Sequence, residues 1–280
     1  MSSHEMRKEL KKEIKYLYKN EKEQVFQIMI GPVLLSFVIG FVMSFLVGFT
    51  TEVSGPINVT SLLLLGIYIL MGLAMGILTF NVSNMVLINL YDLLDGNEVP
   101  HGFWSKMFRS KYFKKTMPLA SLEAVIFIVV YAILCIVIIF GVSALLHLNS
   151  LSWSREIFII LLLGIVLMFI SVGVFVILCP YFATILVLKR NIDNNKDNLS
   201  IFSSLKQSRQ LMKSHKWQYF VLILSTLGWI VLIVVIWGIV RIVLPDLGYI
   251  IYLILLIFYS AYLSGVQTNF FYHLFNNKKK

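Results

Sequence analysis

The sequence predicts an all-α protein: a polytopic transmembrane bundle of six spans with both termini in the cytoplasm. Three observations carry this. Of 280 residues, 59% are hydrophobic and 14% charged, whereas a soluble domain carries about 25% charged residues. The apolar residues fall into six blocks, each longer than the ~20 residues needed to cross the hydrocarbon core. The basic residues alternate: 22 of the 24 Lys and Arg lie before block one, between two and three, between four and five, and in the tail. Only Arg155 and Arg241 lie on the other side, and the rich side is read as cytoplasmic.

In chain order, residues 1–24 read as an amphipathic helix. Met6, Leu10, Ile14, Leu17 and Tyr18 recur at helical spacing among basic residues, a pattern suited to lying in the headgroup plane with its apolar face down. The first block, 25–49, is too long for a signal peptide and has no small-x-small cleavage site, so it is expected to stay as an anchor. Block two, 61–90, and block four, 157–188, exceed one crossing and are expected to tilt or protrude. Blocks three, five and six cover 119–145, 217–240 and 249–272. The outer connections are short and pair the spans as hairpins. The inner ones are long and amphipathic: Phe103, Trp104, Met107, Phe108 and Tyr112 follow Pro100, and Ile201, Phe202, Leu205, Leu211 and Met212 precede block five.

A unit of amphipathic helix, span and return span recurs at a period of about 100 residues within a single integral membrane domain, 1–280, suggesting repeats at 1–98, 99–199 and 200–280. Asn89 and Asn269 open similar stretches, 89–97 and 269–277. The alternative is that any six-span chain starting inside shows three hairpins.

Several side chains stand out against the apolar background. Gly72 and Gly76 form a GxxxG suited to close helix packing within the chain. Pro180, next to Cys179, interrupts block four and is expected to kink it. Cys135 and Cys179 lie at different depths, so no disulfide is expected. Asn81, Asn84, Glu123, Tyr181, Gln267 and Asn269 all fall toward the cytoplasmic leaflet. They read either as a polar cavity opening inward or as interfacial residues reaching headgroup water, and the second is favoured. Glu123 is expected to find a protein partner in Asn81 or Asn84, because a lone carboxylate one turn inside the membrane is costly. Lys206, Arg209, Lys213 and Lys216 are candidate contacts to anionic headgroups.

No metal-ligand spacing, nucleophile elbow or phosphate loop is present in the sequence, so neither catalytic residues nor a cofactor is expected. The net charge of +10 points to lipid headgroups rather than nucleic acid, since the basic residues sit beside apolar spans.

The run from Ser204 to Trp229 carries Leu211-Met212, Lys216-Trp217, Phe220, Leu224-Ser225 and Gly228-Trp229, followed by Gly238, Pro245, Tyr249 and Phe271-Tyr272. It resembles the Gram-positive integral membrane family called domain of unknown function 975. Ser214 replaces that family's glycine, and Pro245 is separated from Tyr249. The resemblance implies a bacterial plasma-membrane protein without an agreed activity, with no catalytic residues to carry over. The Lys-Trp pair would anchor a span at headgroup level, and Gly228 and Gly238 would permit close helix packing. The expected function is a non-enzymatic, envelope-associated or accessory membrane protein, with an unidentified membrane protein as a further partner. The alternative is a small-solute or peptide transporter with an inward-facing polar cavity.

Overall fold

The computed structural model describes residues 3–51, 59–99, 110–147, 173, 178, 181–194, 200–243 and 245–277. All regular structure among them is helical. The elements are α1 (Ser3–Asn20), α2 (Lys22–Thr51), α3 (Val59–Leu94), α4 (Ser110–His147), α5 (Thr184–Asp193), α6 (Ile201–Met212), α7 (Lys216–Leu224), α8 (Leu227–Val243) and α9 (Pro245–Asn277).

Three stretches are helical, long and apolar enough to cross a membrane: Leu70–Leu94, Lys216–Val243 and Ile251–Asn276. They correspond to blocks two, five and six, so the expected six spans become three among the described residues. Blocks one and three lie in continuous helices of 30 and 38 residues, about 45 and 57 Å long at 1.5 Å per residue, although many of their side chains lie outside the described set. Most of block four lies outside it, including Cys179 and Pro180, as do residues 100–109 of the second amphipathic segment.

Helix α3 is central, packing against α2, α4, α5 and α9, while α8 runs against α9. The molecule is unevenly packed along these axes. Towards the C-terminal ends of α3 and α9, Met85, Ile88, Leu119, Leu186, Tyr219 and Phe270 are fully buried in one core with Ile14 of α1. Away from that end, Leu70, Val129, Val231, Val235, Ile242 and Phe258 are exposed, an apolar surface that matches lipid rather than water.

The first and third amphipathic segments dock on protein. Leu10 and Ile14 of α1 are buried against α9 rather than turned down into a headgroup layer. Gly265 makes this possible: a Cβ there would lie 2.5 Å from the Tyr18 hydroxyl and 3.0 Å from Ile14 Cγ2. Tyr112 of the second segment sits in the first turn of α4. In α6 the buried stripe is Ser204, Ser208, Leu211 and Met212, and Phe202 faces outward at 77% exposure. The serines pack closely against α5, which is why the inner face differs from the apolar one read from sequence.

Two further packing expectations change. A Cβ at Gly228 or Gly238 would meet nothing within 4 Å, so neither glycine serves close packing among the described residues. In the GxxxG pair, Gly76 approaches Ala124 of α4 whereas Gly72 has open space. Block five is also two helices: Ser225 and Thr226 form a turn between α7 and α8, their hydroxyls donating to Leu222 O and Ile223 O.

Candidate functional site

The polar side chains of the apolar helices gather at the end where the basic helices α1, α5 and α6 lie. Three groups of interactions make up this layer. The first joins α3 to α4. Asn84 Nδ2 donates to Glu123 Oε2 at 2.8 Å, and Thr116 Oγ1 donates to Asn81 Oδ1 at 2.8 Å. Asn81 and Asn84 are three apart on α3, one helical turn, so they share a face toward α4. Asn81 Nδ2 is buried and has no hydrogen-bond partner among the described residues.

The second group joins α3 to α5. Lys189 Nζ lies 2.6 Å from Asp92 and 2.5 Å from Asp193, with the side chains of Lys189 and Asp92 only 6% and 8% exposed. Tyr112 donates to the other oxygen of Asp193 at 2.7 Å, and the Lys189 ammonium sits 5.1 Å from the Tyr91 ring centroid. A buried cation is tolerable only with such company. One turn before Asp92, Asn89 is fully buried, and neither its amide atoms nor the buried Thr184 hydroxyl has a hydrogen-bond partner among the described residues.

The third group joins α1 to α9. Asn269 Nδ2 donates to Leu10 O at 3.1 Å and to Glu13 Oε2 at 2.8 Å, and His273 Nε2 lies 2.8 Å from the same oxygen. The Tyr18 hydroxyl donates to Ala261 O at 2.6 Å, and burial, then Tyr262, pushes this phenol well above its ordinary range. Lys11 reaches the α7–α8 turn, donating to Ser225 O at 3.2 Å. Burial first, then Arg7 and Lys15, lower its pKa.

Of the polar residues singled out from sequence, Asn81, Asn84, Glu123 and Asn269 are therefore tied into helix–helix contacts, but at two different interfaces. Tyr181 is exposed and Gln267 half-buried, and neither takes part in these bonds. Lys206, Arg209 and Lys213 project outward from α6 with Phe202, on the face opposite the buried serines, while Lys216 is half-buried at the start of α7. The Trp217 ring next to it is 73% exposed and stacks on Phe220 at 5.4 Å. The ion pair of Asp92 and Lys189 was not singled out from sequence, although each is an isolated charge at the end of an apolar block. No group of His, Cys, Asp and Glu among the described residues is arranged to hold a metal ion.

Fold and site together define an all-helical chain with at least three membrane-capable helices, closed at one end by a buried polar layer. The chain belongs to the family described as protein of unknown function (DUF975), whose model matches residues 1–268. No curated protein and no solved structure matches it.

Proposed function

We propose that the chain is a multi-pass, non-enzymatic plasma-membrane protein with both termini in the cytoplasm. It acts as an accessory scaffold whose basic end engages anionic headgroups and presents a rigid surface to a membrane protein partner. The observation that carries this reading is the fate of the intramembrane polar residues. Asn84 is bound to Glu123, Asn81 to Thr116 and Asn269 to Glu13. A transporter built on this polar face would need the same side chains turned toward a common cavity. Here they staple α3 to α4 and α1 to α9.

The orientation rests on the distribution of 22 basic residues to one side. The headgroup reading rests on two outward stripes. Lys8, Lys12, Lys15 and Lys19 recur every three or four residues on α1 and are all exposed, and Lys206, Arg209 and Lys213 do the same on α6 beside Phe202. Near an anionic surface each such charge contributes about 1 kcal/mol, and an exposed Phe and Trp fit the interfacial layer.

The test uses the full chain in liposomes, without Cys135 and Cys179, carrying an environment-sensitive dye at Phe202→Cys. The dye should shift to the blue on anionic vesicles and lose the shift with added salt. Emission indifferent to lipid charge would remove the headgroup role. In the same background, cysteines at Thr51 and Trp153 should label from outside intact cells, and those at Lys114 and Lys196 should not.

A further inference from the structure

We infer that the cleft between α5, α6 and the end of α9 is a binding site for a phosphate-type oxyanion. The cleft holds about 320 Å³ and is lined by Arg190, Asn191, Asn194, Gln207, Gln210 and Phe275, with Val187 and Leu211 at its apolar side. Its lining thus combines one guanidinium with four carboxamides and no carboxylate among the described residues. Arg190 is the key. Its neighbour Lys189 is neutralised by Asp92 and Asp193, but Arg190 has no carboxylate within ion-pair distance among the described residues. Instead its guanidinium lies 5.5 Å from the Phe275 ring centroid. Stacking on an aromatic ring holds the guanidinium face and leaves its N–H edge to pair with an oxyanion.

The amides complete the donor set. Asn191 Nδ2 donates to Gln207 Oε1 at 3.3 Å and to Ser204 Oγ at 3.4 Å. With its oxygen so engaged, Gln207 has its Nε2 hydrogens available to a ligand. A half-buried guanidinium flanked by amide donors suits a tetrahedral oxyanion such as phosphate, which accepts bidentate pairing at its oxygens. The volume admits a phosphate with a small substituent, so the ligand is either a free phosphate compound or the phosphodiester of a lipid headgroup. The site is separate from the outward stripe of α6 and does not depend on the headgroup role proposed for that stripe.

The purified full chain provides the test. Its thermal midpoint is followed in detergent with inorganic phosphate against chloride at matched ionic strength, and its retention of phosphatidylglycerol is followed by native mass spectrometry. The wild type should respond to one of the two. A phosphate-dependent rise identifies a soluble anion, and retained lipid without a phosphate effect identifies a headgroup. Arg190→Gln should weaken the response about tenfold or more, the scale of one charge-assisted pair. Gln207→Glu, at an exposed position, should abolish it by placing a carboxylate in the cleft, and serves even if Arg190→Gln fails to fold. Replacing Lys206, Arg209 and Lys213 together with Gln should leave a phosphate-dependent rise in the midpoint unchanged. No response in the wild type, responses that survive both cleft variants, or a phosphate-dependent rise lost only in the triple variant would each overturn the assignment.

Discussion

The C-terminal ends of α3 and α9 begin their similar stretches at Asn89 and Asn269, both almost fully buried, yet they clamp their neighbours with opposite chemistry. The α3 end offers an acid, Asp92, to the buried Lys189 of α5. The α9 end offers an amide and an imidazole, Asn269 and His273, to Glu13 of α1. The first clamp is dry, and the second is partly open to solvent, with the side chains of His273 and Glu13 34% and 40% exposed. The asparagines diverge too: Asn269 is bonded to α1, whereas Asn89 has no hydrogen-bond partner among the described residues. A common sequence pattern at two helix ends thus carries one contact where desolvation dominates and one where water shares the load.

The largest expected effect comes from breaking the dry clamp. Lys189→Met removes the cation and leaves Asp92 buried beside Asp193. It should destabilise the protein by about 3–5 kcal/mol, the usual cost of stranding one member of a buried pair, read as a fall in the thermal or denaturant midpoint in detergent. Replacing both members, Asp92→Leu with Lys189→Met, should recover most of the loss. A double variant as unstable as the single one would mean that the pair does more than neutralise itself.

The α1 end is next. Gly265→Ala places a methyl against the Tyr18 hydroxyl and Ile14, and overpacking of this kind costs about 1–3 kcal/mol. Because the clash lies between α1 and α9 alone, α1 should become accessible to limited proteolysis before the rest of the chain unfolds. Wild-type protease resistance in Gly265→Ala would show that α1 is not held by this close approach to Gly265.

The α3–α4 staple gives an intermediate case that separates charge from hydrogen bonding. Glu123→Ala leaves Asn84, which is only 4% exposed, without its acceptor and should cost about 1–3 kcal/mol. Glu123→Gln keeps an acceptor oxygen at the same place and should cost clearly less. Equal losses in both variants would assign Glu123 an electrostatic role beyond this bond.

These contacts also show what could be read from sequence. The helical class, the docking partners Asn84 and Glu123, and the amphipathic character of α1 and α6 follow from composition and spacing, which report local periodicity and isolated polar groups in apolar runs. What α1 and α6 dock against does not follow. An apolar stripe fits lipid and protein equally, and only the missing Cβ of Gly265 and the small Ser204 and Ser208 decide for protein. The break at Ser225–Thr226 was hidden for a related reason. Residues 217–240 are uniformly apolar enough to read as one block, and the turn depends on hydroxyls that bond back to their own helix. The Asp92–Lys189 pair joins residues 97 positions apart, and no local pattern encodes that partnership.

The smallest expected effect is at the wet clamp. Glu13→Gln removes the charge that faces His273 but keeps an amide able to accept from Asn269 Nδ2. Solvent reaches both Glu13 and His273, so water and salt screen any attraction between them, and contacts of this exposure contribute about 0–1 kcal/mol. Little should therefore be lost on this substitution, and even less in high salt. Asn269→Leu is the informative companion. Asn269 is 1% exposed and donates to both Leu10 O and Glu13, so its removal takes away a buried donor to a carboxylate, at a cost of about 1.5–3 kcal/mol. If Glu13→Gln lowered the midpoint as much as Asn269→Leu, the α9 clamp would behave like the dry one at α3, and the contrast between the two helix ends would fail.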